Sequence, residues 1–391
     1  MDRPDMAVDL VPVASEPRAV LRALRQTLDG AGPALALGAP AGHTVPAQAP
    51  PGTVAVVTTS GSTGVPKSVV LSRSALIASA VSTAARIGEG RWLLALSPGY
   101  VAGLQVMVRS LLSGHEPAVL AGSFSPAAFA AVTASMHSSI GGERAGMFTS
   151  LVPAQLSDLL DAAETDAAVA DALRAYEAIL VGGQALPAAQ HQRALERGAR
   201  IVRTYGSTET SGGCVYDGVP LDGVGVRIVA GEVQLSGPML ADGYLGEPDR
   251  TAASFLVDDG VRWYRTGDAG EFDGAVLRVT GRIDNVIISG GVNVSLDRVE
   301  AVVREHAGLA SAVVVAIPDE RWGQASAVVV PSAALADIGS DVPGLLGELR
   351  DAVGDRLGKP ARPARVVTVD RMPVLASGKP DRAAVRRMLA I

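Results

Sequence analysis

Short apolar runs alternate with Ala/Leu-rich stretches along the chain up to about residue 230. The runs Trp92–Leu96, Ala145–Thr149 and Ala178–Val181 read as buried strands, and Leu104–Ser113 and Pro153–Ala162 as helices. That alternation predicts βαβ units, hence a mostly parallel sheet covered by helices. From Gly231 the texture changes to short strands separated by turn residues, as in EVQLSG and GAVLRVTG, and predicts an antiparallel β region. After GRIDNVIISGG the alternation resumes with a helix over Asp297–His306, strands over Ala312–Ile317 and Ser326–Val330, and a helix over Leu345–Leu357. The reading is an α/β chain with a large domain over 1–282 and a small α+β domain over 283–391, joined near Arg282–Asn285. There is no internal repeat and no low-complexity tract beyond an excess of alanine.

One stretch interrupts this pattern without reading as packing. TTSGSTGVPKSVVLS, Thr58 to Ser72, separates the β-branched run Val54–Val57 from Val69–Leu71. A turn rich in hydroxyls and poor in side-chain bulk exposes backbone N–H groups, which suit a polyphosphate. It is not a P-loop, which requires G-x-x-x-x-G-K-[ST] before a helix. Here Lys67 follows Gly64 by three positions, Pro66 removes a donor, and the next element reads as strand. On these residues alone it is either a phosphate loop of another kind or a flexible hairpin.

Bulk properties narrow the setting. With 391 residues and 48% hydrophobic composition the chain can bury a sizeable core in two or three domains. A net charge of −6 with no basic block weighs against nucleic acid as a partner. The single cysteine, Cys214, excludes an internal disulfide framework and a Cys-based zinc site, and fits a reducing compartment. The start, MDRPDMAVDLVP, carries acids and no signal-type apolar core, and no apolar stretch reaches the roughly 18–20 residues of a spanning helix. The expectation is a cytoplasmic protein with no membrane partner.

Four further stretches fall where loops are expected. Val181–Pro187 (VGGQALP) runs a strand into a double-glycine turn, either an ordinary strand–helix turn or a place where backbone approaches a flat ring. Tyr205–Thr210 (YGSTET) puts a carboxylate at a strand end. Glu209 there is a solvated loop acid or, beside a polyphosphate, a Mg2+ ligand. In Tyr264–Asp268 (YRTGD) a turn aspartate caps a turn or accepts from two vicinal hydroxyls of a ribose. Ser377–Arg382 (SGKPDR) places one lysine on a loop beside a glycine.

Taken together and in this order, TSGSTGVPK, GGQALP, YGSTET, YRTGD, GRIDN and SGKPDR resemble the acyl-adenylate-forming superfamily of acyl-CoA synthetases, luciferases and nonribosomal-peptide adenylation domains. Six motifs in the family's order over residues 58–382 make chance agreement negligible. The resemblance implies a large domain of helix-covered sheets with a β-rich subdomain, followed by a small mobile domain. It also implies roles. Thr59, Ser60, Ser62, Thr63 and Lys67 hold the β- and γ-phosphates of ATP. Gly183 and Gln184 line the adenine, Tyr205 stacks on it, and Gly206 and Ser207 complete the nucleotide contact. Thr208 touches the α-phosphate, Glu209 holds Mg2+, and Asp268 and Arg282 bind the ribose. Lys379 is the catalytic lysine. The small domain rotates about Asp284 to admit the thiol of coenzyme A.

The chain also departs from the family. The phosphate loop begins near residue 58, earlier than in typical members, and Tyr100 stands where many relatives carry an aromatic or histidine. Tyr100–Leu111, Leu151–Leu156 and Thr210–Tyr216 resemble one branch of the family, the o-succinylbenzoate–CoA ligases of menaquinone biosynthesis. The substrate of that branch carries two carboxylates, of which one is adenylated and the other must be held. Arg109, in an otherwise apolar helix, is the candidate for the second carboxylate. Its alternative is a place on the helix's solvated edge. Tyr100, Ser211 and Gly212 are the other expected substrate contacts. Other readings are a ligase for another aryl or medium-chain acid, and an adenylation enzyme loading a carrier protein in trans. A non-catalytic relative is disfavoured by the retained Lys379, Glu209 and Asp268. The expected partners are a small carboxylic acid, ATP and coenzyme A, with a homodimer as the oligomer to test.

Overall fold

The computed structural model describes residues 7–40, 44–59, 66–136, 139–140, 143–338, 341–375 and 380–389. The first half of the chain builds two mostly parallel sheets, as helix-covered sheets were expected. In the first, of six strands, Val8–Pro12, Ala34–Leu37 and Thr53–Thr59 run parallel, and Lys67–Ser72 and Gly243–Tyr244 add antiparallel at one edge. The second has seven strands, with Ala118–Val119, Arg91–Leu94, Met147–Leu151, Ala178–Val181 and Ile201–Ser207 parallel and in that order. Gly212–Tyr216 then returns antiparallel. Connection length explains both reversals. The hairpin at residue 60 and the tight turn after Ser207 are too short for a crossover, so each forces an antiparallel neighbour.

The third sheet is antiparallel, as the turn-rich texture predicts, and joins Gly225–Val229, Glu232–Ser236, Phe255–Asp258, Val261–Phe272 and Leu277–Arg282. The next strand, Val286–Ser289, belongs to a fourth sheet with Val292–Ser295, Val313–Asp319, Gly323–Pro331 and Arg365–Val369. Sheet membership therefore changes across Ile283–Asn285. Helices Leu296–Arg304 and Val342–Leu357 begin and end near the expected positions. The two hairpin strands before Leu296, the strand Arg365–Val369 and the last helix Arg382–Met388 were not anticipated.

Packing follows this division. One core joins the first three sheets through Leu37, Val57, Leu71, Leu94, Val215 and Tyr264. A second lies on the other face of the seven-stranded sheet, around Leu93, Leu151, Phe129 and Tyr176. Alternate residues of Val313–Asp319 point into two separate cores of the fourth sheet, which is why that strand is a continuous apolar run. Between the first two sheets lies the helix Val101–Leu112, whose residues Gly103 to Ser110 are all buried. Gly103 sits where a Cβ would come within 2.2 Å of the Ser97 carbonyl oxygen, so the helix can start hard against the preceding loop. Trp92 and Phe148 stack with ring centroids 5.2 Å apart beneath it. Phe148 is 1% exposed. Phe148→Ala should therefore cost about 3–5 kcal/mol of stability through the cavity it opens. A urea midpoint within error of the parent would remove that ring from the core's support.

Candidate active site

The phosphate-loop candidate is a hairpin that Thr59 and Lys67 close as paired residues. Below it Thr58 and Ser68 join through their hydroxyls at 2.9 Å. Ser60, Ser62 and Thr63 lie outside the described residues. Thr59 Oγ1 is buried and has no hydrogen-bond partner among the described residues.

Glu209 comes from the second sheet to meet this hairpin. The strand Ile201–Ser207 ends in one 3-10 turn, Thr208–Thr210, where Thr210 Oγ1 accepts from the Ser207 N–H at 2.8 Å and donates to the Gly212 carbonyl at 2.7 Å. Ser211 takes a left-handed φ of 52°, and at Gly206 a Cβ would lie 2.1 Å from the Gly212 oxygen. The tight return turns Glu209 inward, to 2% exposure, so it is no solvated loop acid. Its Oε1 forms an ion pair with Lys67 Nζ and accepts from the Tyr244 hydroxyl at 2.9 Å. Burial alone would raise the Glu209 carboxyl. The Lys67 ammonium outweighs burial and holds it below the usual carboxylate value. Tyr244, flanked by Gly243 and Gly246, was missed from sequence. Its only signal there was a tyrosine in a glycine-rich turn.

A second group forms at the third sheet. Asp268 lies within the strand Val261–Phe272 and not in a turn as expected. Gly267, at φ 70°, kinks the strand there, and a Cβ on it would sit 2.9 Å from Arg282 Nη2. The Tyr205 hydroxyl donates to Asp268 Oδ2 at 2.6 Å, and Arg282 Nη1 donates to Oδ1 at 3.2 Å. Burial raises the Asp268 carboxyl above its usual range against both bonds, and burial together with Asp268 pushes the Tyr205 phenol far up. The rest of the Arg282 fork binds Asp284, with Nε and Nη2 each 3.0 Å from a carboxylate oxygen. Gly182 and Gly183 turn beside the same group: a Cβ on Gly182 would meet Thr204 Oγ1 at 2.3 Å, and Gly183 has φ 80°. Gln184 follows in that turn.

The substrate candidates line the buried helix. Tyr100 precedes it, half-buried, with its phenol raised by burial. Gln105 packs against the turn, since a Cβ on Gly212 would meet Gln105 Cγ at 3.3 Å. Arg109 lies one turn further along the same face. It is 6% exposed, so the solvated-edge alternative is excluded. Its guanidinium stands 5.2 Å from the Trp92 ring centroid and lines a cavity of about 300 Å³ with Ala84, Gly88, Glu89 and Leu112. Arg109 Nε has no hydrogen-bond partner, and no carboxylate pairs with it among the described residues. Burial holds the guanidinium below its ordinary value. Gln105 Oε1 and the Ser211 hydroxyl are also buried without partners among the described residues. Buried polar atoms are rarely left so outside a site.

Lys379 lies outside the described residues. Its flanks are tied: Val374 pairs with Pro380, and Asp381 N–H donates to the Pro373 carbonyl at 2.9 Å. Arg382, from the same motif, donates to the Val314 carbonyl and to Glu300, each at 2.8 Å.

Paired strand ends, a hydroxyl hairpin and a separate C-terminal sheet are the architecture of the AMP-binding enzyme family, to which this chain belongs. The family model matches residues 6–245, and that of the AMP-binding enzyme C-terminal domain matches 298–379. Among similar proteins is a probable 2-succinylbenzoate–CoA ligase of Mycobacterium tuberculosis, 38% identical over 97% of both chains. A solved o-succinylbenzoate CoA synthetase (MenE) of Bacillus subtilis, in complex with the acyl-adenylate intermediate OSB-AMP, superposes with a TM-score of 0.70. It is 26% identical and covers 96% of this chain and 81% of its own. A variant of Escherichia coli MenE with bound OSB-AMS superposes at 0.68, with 27% identity, 89% of this chain and 71% of that one. No helix among the described residues is long and apolar enough to cross a membrane.

The Lys67–Glu209 pair yields a signed pH prediction. A carboxylate held below its ordinary pKa stabilises the fold above the unfolded value, and that stability is lost as pH falls through the depressed one. In Lys67→Met, burial loses its largest opponent and the Glu209 pKa rises, so the variant loses stability as pH rises towards neutrality. The deficit should be about 3 kcal/mol at neutral pH and shrink in acid. Urea midpoints that differ equally at both pH values would show that the pair does not carry this charge.

Proposed function

We propose that this chain is an ATP-dependent acid–CoA ligase that converts o-succinylbenzoate to its CoA thioester by way of an acyl-adenylate, in menaquinone biosynthesis. The observation that carries the choice of acid is Arg109, a buried guanidinium facing a cavity with an unpaired N–H. A cation so placed is costly unless an anion meets it. The second carboxylate of o-succinylbenzoate is such an anion, and the similarity to 2-succinylbenzoate–CoA ligases supports the same substrate.

In the first half-reaction the succinyl carboxylate oxygen attacks the α-phosphorus of ATP, and the bond to the β-phosphate oxygen breaks to release pyrophosphate. Two anions must meet, so oriented donors and cations must offset their repulsion. Thr59, Ser60, Ser62, Thr63 and Lys67 hold the leaving phosphates. Gly183, Gln184, Tyr205, Gly206 and Ser207 seat the adenosine, Asp268 and Arg282 take the ribose, and Thr208 meets the α-phosphate. A buried carboxylate beside an unpartnered hydroxyl fits Mg2+, which takes few protein ligands and completes its shell with phosphates. Glu209 would hold the ion, which supplies charge compensation for the phosphates. Lys67 then leaves Glu209 for the phosphates, so neither charge is left uncompensated. Tyr100, Ser211 and Gly212, at the opposite end of the helix from the Arg109 cavity, would contact the acid near its reacting carboxylate. Lys379 reaches the carboxylate and α-phosphate oxygens from the small domain.

In the second half-reaction the thiolate of coenzyme A attacks the acyl carbon, and the bond to AMP breaks. We place the joint that exchanges the two half-reactions at Asp284, between a body over 1–282 and one over 283–391. The change of sheet membership across Ile283–Asn285 supports it.

Two measurements test this reading. Arg109→Leu should raise KM for o-succinylbenzoate about ten- to a hundredfold and leave KM for ATP nearly unchanged. Lysine should rescue poorly, because a point charge cannot reproduce a planar fork. An equal fall in kcat/KM for o-succinylbenzoate and for an analogue without the aromatic carboxylate would assign Arg109 to the fold alone. Lys379→Ala should lower pyrophosphate release by about a hundredfold or more. It should spare thioester formation from preformed acyl-adenylate, and equal loss of both would defeat its assignment to the first step.

A further inference from the structure

We propose that Asp297 is a positioning residue that clasps the joint between the two bodies and sets the balance between their orientations. The proposal rests on the rotating-domain reading above. Asp297 opens the helix Leu296–Arg304, and its two carboxylate oxygens face opposite sides of Asp284. Oδ2 accepts from the backbone N–H of Arg282 at 2.6 Å, and Oδ1 accepts from Asn285 Nδ2 at 2.7 Å. Arg282 belongs with the large body: it pairs with Asp268 across the third sheet, and its Nη1 donates to the Thr266 carbonyl at 2.9 Å. Asn285 belongs with the small one, since its carbonyl accepts from the Leu296 N–H at 3.0 Å. One carboxylate thus bridges the connector.

The close approach is built into the chain. Gly281 has φ 141°, and a Cβ there would lie 2.8 Å from Asp297 Cβ. Any other residue would push the helix off the strand. A replacement partner for the carboxylate also waits nearby. Arg382 Nη2 stands 3.9 Å from Asp297 Oδ1, beyond hydrogen-bond reach, while bonded to Glu300. Rotation about Asp284 carries the Arg282 N–H away, whereas Asn285, Leu296 and Arg382 travel with Asp297. Arg382, close to Oδ1, and Asn285, still bonded to it, then remain beside the carboxylate, so its charge is not left bare when Oδ2 is released. Breaking the clasp is cheap enough to recur each turnover, and making it favours the orientation described here.

The test reads orientation directly in the full-length chain. Cysteines at exposed Val257 and Asp355 carry spin labels, while buried Cys214 stays unlabelled. Distances are measured without ligand, with a non-reactive acyl-adenylate mimic, and with the mimic plus coenzyme A. Asp297→Ala should shift the ligand-free population away from the clasped distance by about tenfold, the weight of one hydrogen bond to a charged group. Its two half-reaction rates, measured separately, should move in opposite directions. Asp297→Asn keeps an acceptor for the Arg282 N–H and should fall between. A parent protein whose label distance ignores every ligand overturns the rotating-domain reading and this proposal together. A ligand-responsive parent with an unchanged Asp297→Ala distribution, or with both half-reactions falling alike, overturns the role of Asp297 alone.

Discussion

The Glu209 carboxylate is where separately built parts of the large body meet. It projects from the end of a seven-stranded sheet, is nearly sealed from solvent, and needs partners that its own sheet does not supply. Both come from the six-stranded sheet: Lys67 from the hairpin that carries the phosphate loop and Tyr244 from the short edge strand beside it. The backbone joins in, because the Glu209 carbonyl accepts from the Ala241 N–H at 2.8 Å. A buried charge left unpaired would cost several kcal/mol. That cost makes the register of the two sheets at this point close to obligatory.

The same economy of charge runs through the rest of the site. Asp268 is shared by Tyr205 and Arg282, and Arg282 spends its remaining fork on Asp284, at the joint. Tyr205, Asp268, Arg282 and Asp284 are therefore one hydrogen-bonded group that reaches the segment where sheet membership changes. Arg109 is the exception, a buried cation with no such partner among the described residues. The contrast is chemical: the charged groups around Glu209 and Asp268 are compensated by one another, whereas Arg109 has no carboxylate partner among the described residues.

Much of this was legible along the chain, for reasons particular to each element. Strand Ala178–Val181 and helix Pro153–Ala162 carry unmixed apolar and helical patterns, and both occur as read. The antiparallel pairing of Thr53–Thr59 with Lys67–Ser72 was legible because Pro66 and the β-branched run after it exclude a helix. The short strands Val286–Ser289 and Val292–Ser295 were not, since about half of their side chains face solvent and each strand is only four residues long. Which strands share a sheet was also hidden. Local pattern gives strands and their faces, while the partner of an edge is a long-range choice.

The sequence by itself determined the order of the elements, the glycines that permit each tight approach, and the chemical types brought to the site. Those are local properties, decided by φ/ψ limits, periodicity and side-chain chemistry. Only the tertiary structure decided that Glu209 is paired with Lys67 and Tyr244, that Asp268 sits in a kinked strand, and that Arg109 faces a cavity and not solvent. It alone placed Asp297 astride the connector. The physical reason is common to all four. Burial and ion pairing depend on which distant segments share a volume, and residues 67, 209 and 244 come together only when separate sheets close over one another.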